Sequence, residues 1–127
     1  MKEPRFFTCE SCNIIIQEIQ GQADCFSCDG TELKELQPGT TDAAQEKHVP
    51  VVTQNGNEIT VQVGSVLHPM TEEHSIEWVY LQTQKGGQRV DLESTGEPSA
   101  KFLIAEGDKA IAAYAYCNLH GFWKTEV

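Results

Sequence analysis

The stretch Val51-Val52-Thr53-Gln54-Asn55-Gly56-Asn57-Glu58-Ile59-Thr60-Val61-Gln62-Val63 decides the fold class. A Val-rich run, His48–Thr53, leads into Asn55-Gly56, the dipeptide that best tolerates the left-handed backbone of a two-residue hairpin turn. Beyond the turn, Ile59, Val61 and Val63 alternate with Thr60 and Gln62. That period of two places one face of a strand on a core and the other towards water. Further along, Ile76–Thr83 carries Trp78, Val79 and Tyr80, and Lys85-Gly86-Gly87-Gln88 reads as a second turn. Arg89–Glu93, Ala100–Ala105, Ala110–Cys117 and Phe122–Thr125 bring the total to roughly seven strands, at the spacing of a β-sandwich. Only the Ala-rich run 110–115 has a helical alternative, and Tyr114, Tyr116 and the flanking strand pattern make it a strand.

Towards the N-terminus, Pro38-Gly39-Thr40-Thr41-Asp42-Ala43-Ala44 combines Pro, Gly and small polar residues without apolar periodicity. It predicts a linker over 38–45 between a small segment, 1–37, and the strand-rich segment, 46–127. The full length of 127 residues suits one ordinary domain, or a small one plus a larger one. With 39% hydrophobic and 22% charged residues the chain is globular rather than disordered. The balance of 9 Lys and Arg against 19 Asp and Glu, formally −10, argues against nucleic acid, whose binding needs basic clusters. The longest apolar runs, such as Ala110–Ala115, are too short to cross a bilayer. Met1-Lys2-Glu3-Pro4-Arg5-Phe6-Phe7 shows neither an apolar h-region nor a cleavage pattern. The expected compartment is therefore the cytoplasm, where paired cysteines mean metal or redox chemistry.

Segment 1–37 is too short for a hydrophobic core of its own and needs a staple. Its cysteines supply one: Cys9-x-x-Cys12, twelve residues, then Cys25-x-x-Cys28. Two intervening residues let one tight turn aim two sulfurs at one metal, and two such turns complete a tetrahedron. Each turn needs a residue tolerant of left-handed backbone after its second cysteine, and Asn13 and Asp29-Gly30 suit that need. Two disulfides are the alternative. Iron and zinc both accept tetrahedral sulfur, so the metal stays open, and a purely structural zinc site remains one reading.

All four histidines lie in the strand-rich segment, in loops or at strand edges: His48, His68, His74 and His120. The fifth cysteine, Cys117, precedes His120 by three residues. Cys117-x-x-His120 brackets a turn, and loops at one end of a sandwich converge on a site. Together these residues predict a second metal centre. Four imidazoles and a thiolate are too many for tetrahedral zinc and suit iron or copper. Blue copper, with Met70 as axial ligand, leaves two histidines unexplained and ranks second.

Taken together, three motifs are similar to those of the desulfoferrodoxins, the two-iron class of superoxide reductase. They are Glu46-Lys47-His48-Val49-Pro50, then His68-Pro69-Met70 through His74-x-Ile76-x-Trp78, and Cys117-Asn118-x-His120-Gly121-x-Trp123. The resemblance covers nearly the whole chain. It implies an immunoglobulin-like sandwich with a mononuclear iron held by His48, His68, His74 and His120 in a plane and by axial Cys117. The sixth position would be open or filled by Glu46, and Lys47 would be the substrate-side lysine. It further implies a desulforedoxin-like lobe with its own iron on Cys9, Cys12, Cys25 and Cys28, a homodimer, and an electron donor of rubredoxin type. In the usual family pattern the second cysteine pair is adjacent; here Cys25 and Cys28 are spaced as in rubredoxin, which predicts a more regular tetrahedron.

The reaction implied is superoxide plus one electron and two protons giving hydrogen peroxide. A thiolate opposite the substrate position would push electron density towards it, and a cationic centre suits an anionic substrate. On the residues alone, Glu46 and Lys47 form a solvated surface pair worth at most about 1 kcal/mol. The resemblance instead makes Lys47 a substrate or water anchor and Glu46 a cap on the oxidised centre. Two other classes remain: a two-centre electron-transfer protein without a substrate, and a zinc-stapled interaction module.

Overall fold

The computed structural model describes residues 2–39 and 43–127; of the expected linker, Thr40, Thr41 and Asp42 lie outside the described residues. Chain contacts divide the molecule into two compact units, 1–37 and 38–127. Among the described residues no helix is long and apolar enough to cross a membrane.

The smaller unit is built on short strands. β1 (Arg5–Cys9) and β2 (Ile14–Glu18) pair antiparallel across the Cys9–Cys12 turn. A 3₁₀ turn (Ala23–Cys25) follows, then a ribbon of β3 (Ser27–Cys28) and β4 (Thr31–Glu32), and finally β5 (Lys34–Glu35), which pairs with β1. The residues after Cys12 and Cys28 adopt the left-handed backbone expected of them: φ is 58° at Asn13, 50° at Asp29 and 79° at Gly30. Its buried apolar side chains are Phe6, Phe7, Cys9 and Ala23. That is too little apolar surface to offset the ordering entropy of the segment. Arg5 ties the sheet together, 3.2 Å from Glu18 on β2 and 3.0 Å from Glu35 on β5. The guanidinium holds the Glu35 carboxyl below the usual carboxylate range.

The larger unit is the sandwich. A helical turn, α1 (Gln45–His48), precedes β6 (Pro50–Asn55), β7 (Glu58–Val63), β8 (Ile76–Thr83), β9 (Gly86–Asp91), β10 (Ser99–Leu103), β11 (Ala110–Cys117) and β12 (Gly121–Glu126). One sheet has the order β10-β7-β6 and the other β12-β11-β8-β9, with every pairing antiparallel. The expected hairpin forms about Gly56, where φ is 62°, with Asn55 opposite Glu58. Ile59, Val61 and Val63 are fully buried and pack in one core with Ala100 and Phe102 of β10, Val79 and Leu81 of β8, and Ala113 and Ala115 of β11. The ambiguous Ala-rich run is indeed a strand, paired on both sides by β8 and β12.

Several boundaries differ from the sequence reading: the strands expected at Arg89–Glu93, Ala100–Ala105 and Phe122–Thr125 are Gly86–Asp91, Ser99–Leu103 and Gly121–Glu126, and two differences have a local cause. The strand expected from His48 begins at Pro50, because Gln45–His48 coils into one helical turn that ends as Pro50 confines Val49 to extended backbone (ψ 123°). The turn expected at 85–88 is the two-residue Gln84-Lys85, with Thr83 opposite Gly86. Gly86 and Gly87 belong to β9, where the Tyr80 ring occupies the space a Cβ on Gly87 would need.

Candidate metal centre

Each predicted donor of the larger unit stands where a strand or helical turn ends. His48 closes α1, His68 follows the turn after β7, His74 precedes β8, and Cys117 and His120 flank the β11–β12 turn, in which Cys117 pairs with Gly121. Cys117 is fully buried, and His48 and His68 are each 2% exposed.

The four imidazoles form a closed cycle in which neighbours meet edge to face. Ring centroids lie 4.6 Å apart for His48 and His68, 4.6 Å for His68 and His74, 5.0 Å for His74 and His120, and 4.9 Å for His120 and His48. His48 and His74 face each other across the cycle at 6.4 Å, their planes 30° apart. His48 Nε2 is 3.1 Å from His120 Nδ1 and 3.2 Å from His68 Nε2, and Cys117 Sγ is 3.4 Å from His68 Nε2. The donor atoms of His48, His74, Cys117 and His120 all lie within 4.8 Å of one another.

Those separations test the fit of a metal. Nitrogen and sulfur ligands sit about 2.0–2.3 Å from a transition metal, so neighbours set at right angles around one ion are about 3 Å apart. The donor atoms match that spacing. Without an ion, His74 Nε2 is buried with no hydrogen-bond partner, an arrangement proteins seldom tolerate. Tautomers agree as well: His48 Nδ1 donates to Ala44 O at 2.7 Å and His68 Nδ1 to Pro69 O at 2.6 Å, leaving each Nε2 lone pair directed at the cluster. Burial pushes the pKa of His48 and His74 down and that of His68 down to about 4, so these imidazoles stay neutral and able to coordinate. Burial pushes the Cys117 thiol up, a cost that a bound cation offsets.

Met70 does not belong to this set. Its sulfur accepts the Ile76 N–H at 3.4 Å and the side chain packs on the core, which removes the blue-copper alternative. Glu46 and Lys47 are exposed on α1. Their charges reach the cluster: Lys47 opposes protonation of His48 and His74, and Glu46 favours it at His48. This segment is pinned to the turn after β7 by Val66 N–H to Glu46 O at 3.0 Å and Gly64 N–H to Val49 O at 3.1 Å. Gly64 has φ +89°, and a Cβ there would fall 2.7 Å from Lys47 O. Trp123, the last residue of the third motif, stacks on His48 (4.9 Å, 28°) and its Nε1–H donates to His120 O at 3.0 Å, contacts that an aromatic at a strand position does not by itself announce.

In the smaller unit the sulfurs of Cys9, Cys12 and Cys28 come within 4.8 Å of one another, with Cys12 and Cys28 at 2.7 Å. Cys25 is exposed and its sulfur is outside that group. Its backbone differs from that of the first knuckle. Cys9 O accepts both Cys12 N–H and Asn13 N–H, whereas Cys25 ends a 3₁₀ turn in which Phe26 N–H bonds to Ala23 O. Ser11, which sequence reasoning passed over, has its hydroxyl 3.0 Å from Cys9 Sγ and 3.6 Å from Cys28 Sγ. It draws the Cys9 thiol down to about 7, while the neighbouring thiols push Cys28 up to about 11.

The chain is similar to known proteins over most of its length. The Desulfoferrodoxin family model matches residues 40–126. A desulfoferrodoxin of Clostridium acetobutylicum is 44% identical over 110 residues, covering 86% of this chain and 85% of its own. One from Nitratidesulfovibrio vulgaris is 40% identical over 120 residues, covering 94% of each. The crystal structure of the superoxide reductase from Treponema pallidum superposes with a TM-score of 0.85 at 40% identity, covering 98% of this chain and all of its own.

Proposed function

The chain belongs to the desulfoferrodoxin family, and from that premise we propose that it is a superoxide reductase, reducing superoxide by one electron to hydrogen peroxide. The observation that carries this reading is the closed cycle of four imidazoles beside a buried cysteine, with one imidazole nitrogen left unpartnered until an ion is present.

The proposed ligands are His48, His68, His74 and His120 with Cys117, and the proposed metal is iron. Iron held by these five side chains would supply the electron. The remaining tasks fall to the protein. Carbonyl hydrogen bonds fix the His48 and His68 tautomers and ring directions, so the donors need no reorganisation. Burial of Cys117 keeps water from its sulfur and preserves its electron donation. Lys47 at the rim attracts the anion and orders a proton-donating water. Glu46, exposed on the same helical turn, would place a carboxylate near the oxidised centre.

For the smaller unit we propose iron, with zinc as the alternative, on Cys9, Cys12, Cys28 and Cys25, the last closing onto the three gathered sulfurs. The domain limits we adopt are a cysteine lobe at 1–37, a linker at 38–45 and the reductase domain at 46–127. A rubredoxin-type electron donor, a homodimer and a cytoplasmic setting complete the reading on the strength of the motif resemblance.

Elemental analysis with visible spectra of wild type and Cys117→Ser tests the assignment. The expected result is one iron per chain at this centre and a sulfur-to-iron charge-transfer band that the substitution abolishes along with most reductase activity. A Cys117→Ser protein that keeps both band and activity overturns the ligand set.

A further inference from the structure

The donors are not all held in the same way. His48 and His68 are fixed through their own Nδ1 atoms, and the backbone of His120 is held through its own carbonyl, which accepts the Trp123 Nε1–H. Cys117 sits in a strand paired on both sides. The His74 ring has no such anchor at Nε2, which is buried with no hydrogen-bond partner among the described residues. Its position depends on the backbone of loop 71–75. On one side Thr71 grips His74 itself, its N–H donating to His74 O at 2.9 Å and its Oγ1 accepting the His74 N–H at 3.0 Å.

Asn118 holds both neighbours of His74. Its Nδ2–H donates to Glu73 O at 2.9 Å, its Oδ1 accepts the Ser75 N–H at 3.0 Å, and its backbone N–H donates to Ser75 O at 3.2 Å. The side chain thus bridges His74 from the residue immediately after Cys117. Only a primary amide of this length offers the donor and the acceptor that the bridge needs. Aspartate keeps the acceptor and loses the donor; alanine loses both.

We propose that Asn118 is a positioning residue that fixes the separation of His74 Nε2 from Cys117 Sγ, so that loop 71–75 and the β11–β12 turn present their donors as one preassembled set. The proposal rests on the reading of these residues as a metal centre. Outer contacts that orient ligands typically change metal affinity by about 10–100-fold when removed. Asn118 is itself exposed, so its truncation opens no core cavity.

The test uses the full chain with the lobe thiolates filled by Zn(II), and titrates Fe(II) into the His/Cys centre against a chromogenic chelator without oxygen. The ferric electron paramagnetic resonance spectrum is recorded after oxidation, and melting of the metal-free chain is followed in parallel. Asn118→Ala is expected to bind Fe(II) about 10–100-fold more weakly, with an altered ferric spectrum and unchanged metal-free melting. Asn118→Asp should fall between it and wild type, and His74→Ala marks the limit. An Asn118→Ala chain that keeps wild-type affinity and spectrum, or one that loses only melting temperature, overturns the positioning role while leaving the metal centre intact. Failure of the wild type to bind iron at these residues overturns the metal centre and the proposal with it.

Discussion

Lys47 carries one positive charge on a molecule whose formal charge is −10, so the two act in opposite directions on an anionic substrate. Distance decides between them. At 4 Å two unit charges interact by about 4 kcal/mol at an effective dielectric of 20, whereas carboxylates beyond a Debye length of about 8 Å are largely screened at physiological salt. The rate of reaction with superoxide is therefore expected to fall as salt rises, despite the net charge. Lys47→Ile should lower that rate by roughly tenfold at low salt and flatten or invert the dependence. Decay of pulse-generated superoxide across ionic strength measures both, and a wild-type rate that climbs with salt, unchanged in the variant, removes Lys47 from the mechanism. At this scale the donors were legible because each is a histidine or cysteine in a turn-forming context, and Cys117-x-x-His120 states its own geometry. Which nitrogen faces the cluster was not legible, since Nδ1 of His48 and His68 is committed to carbonyls of Ala44 and Pro69 that only the folded chain brings into line.

Elements became legible in proportion to their periodicity. Strands β7 and β8 declare themselves by alternation and by β-branched or aromatic content, and the hairpin between β6 and β7 by Asn55-Gly56. The single turn of α1 is too short to show a period and is imposed by Pro50 after it and by the closely packed turn at Gly64. In the lobe, β3, β4 and β5 are two residues each and have no pattern to read, yet the left-handed positions Asn13 and Asp29 followed from the cysteine spacing. With Phe6, Phe7, Cys9 and Ala23 the buried apolar side chains among its described residues, the lobe is expected to need a bound metal to fold. Chelation of that metal is expected to abolish amide protection in β1 and β2 while the amides of Ile59–Val63 keep theirs, as hydrogen exchange would record. Cys9→Ser should correspondingly leave the rate with superoxide largely intact. A large loss of rate in a variant with a full His/Cys centre would contradict that separation of roles.

For the whole molecule, the Pro-Gly stretch before residue 46, the cysteine spacing and the strand count were enough to anticipate a cysteine lobe and a β-sandwich, because each rests on composition or local pattern. The convergence of three segments, α1, the β7–β8 connection and the β11–β12 turn, on one point was beyond local pattern, since it arises from the pairing of β11 with β8 and β12 and from packing that the sequence encodes only collectively. This convergence is proposed to perform a one-electron reduction. Its most direct test is a single turnover under anaerobic conditions, mixing fully reduced protein with a substoichiometric pulse of superoxide while hydrogen peroxide and dioxygen are measured together. The expected result is one hydrogen peroxide for every superoxide consumed, no dioxygen released, and an equal loss of reduced centres with growth of the Cys117-dependent charge-transfer band. Half as much peroxide accompanied by dioxygen would reveal dismutation, and slow or absent consumption of superoxide would leave only an electron carrier; either result contradicts the claim.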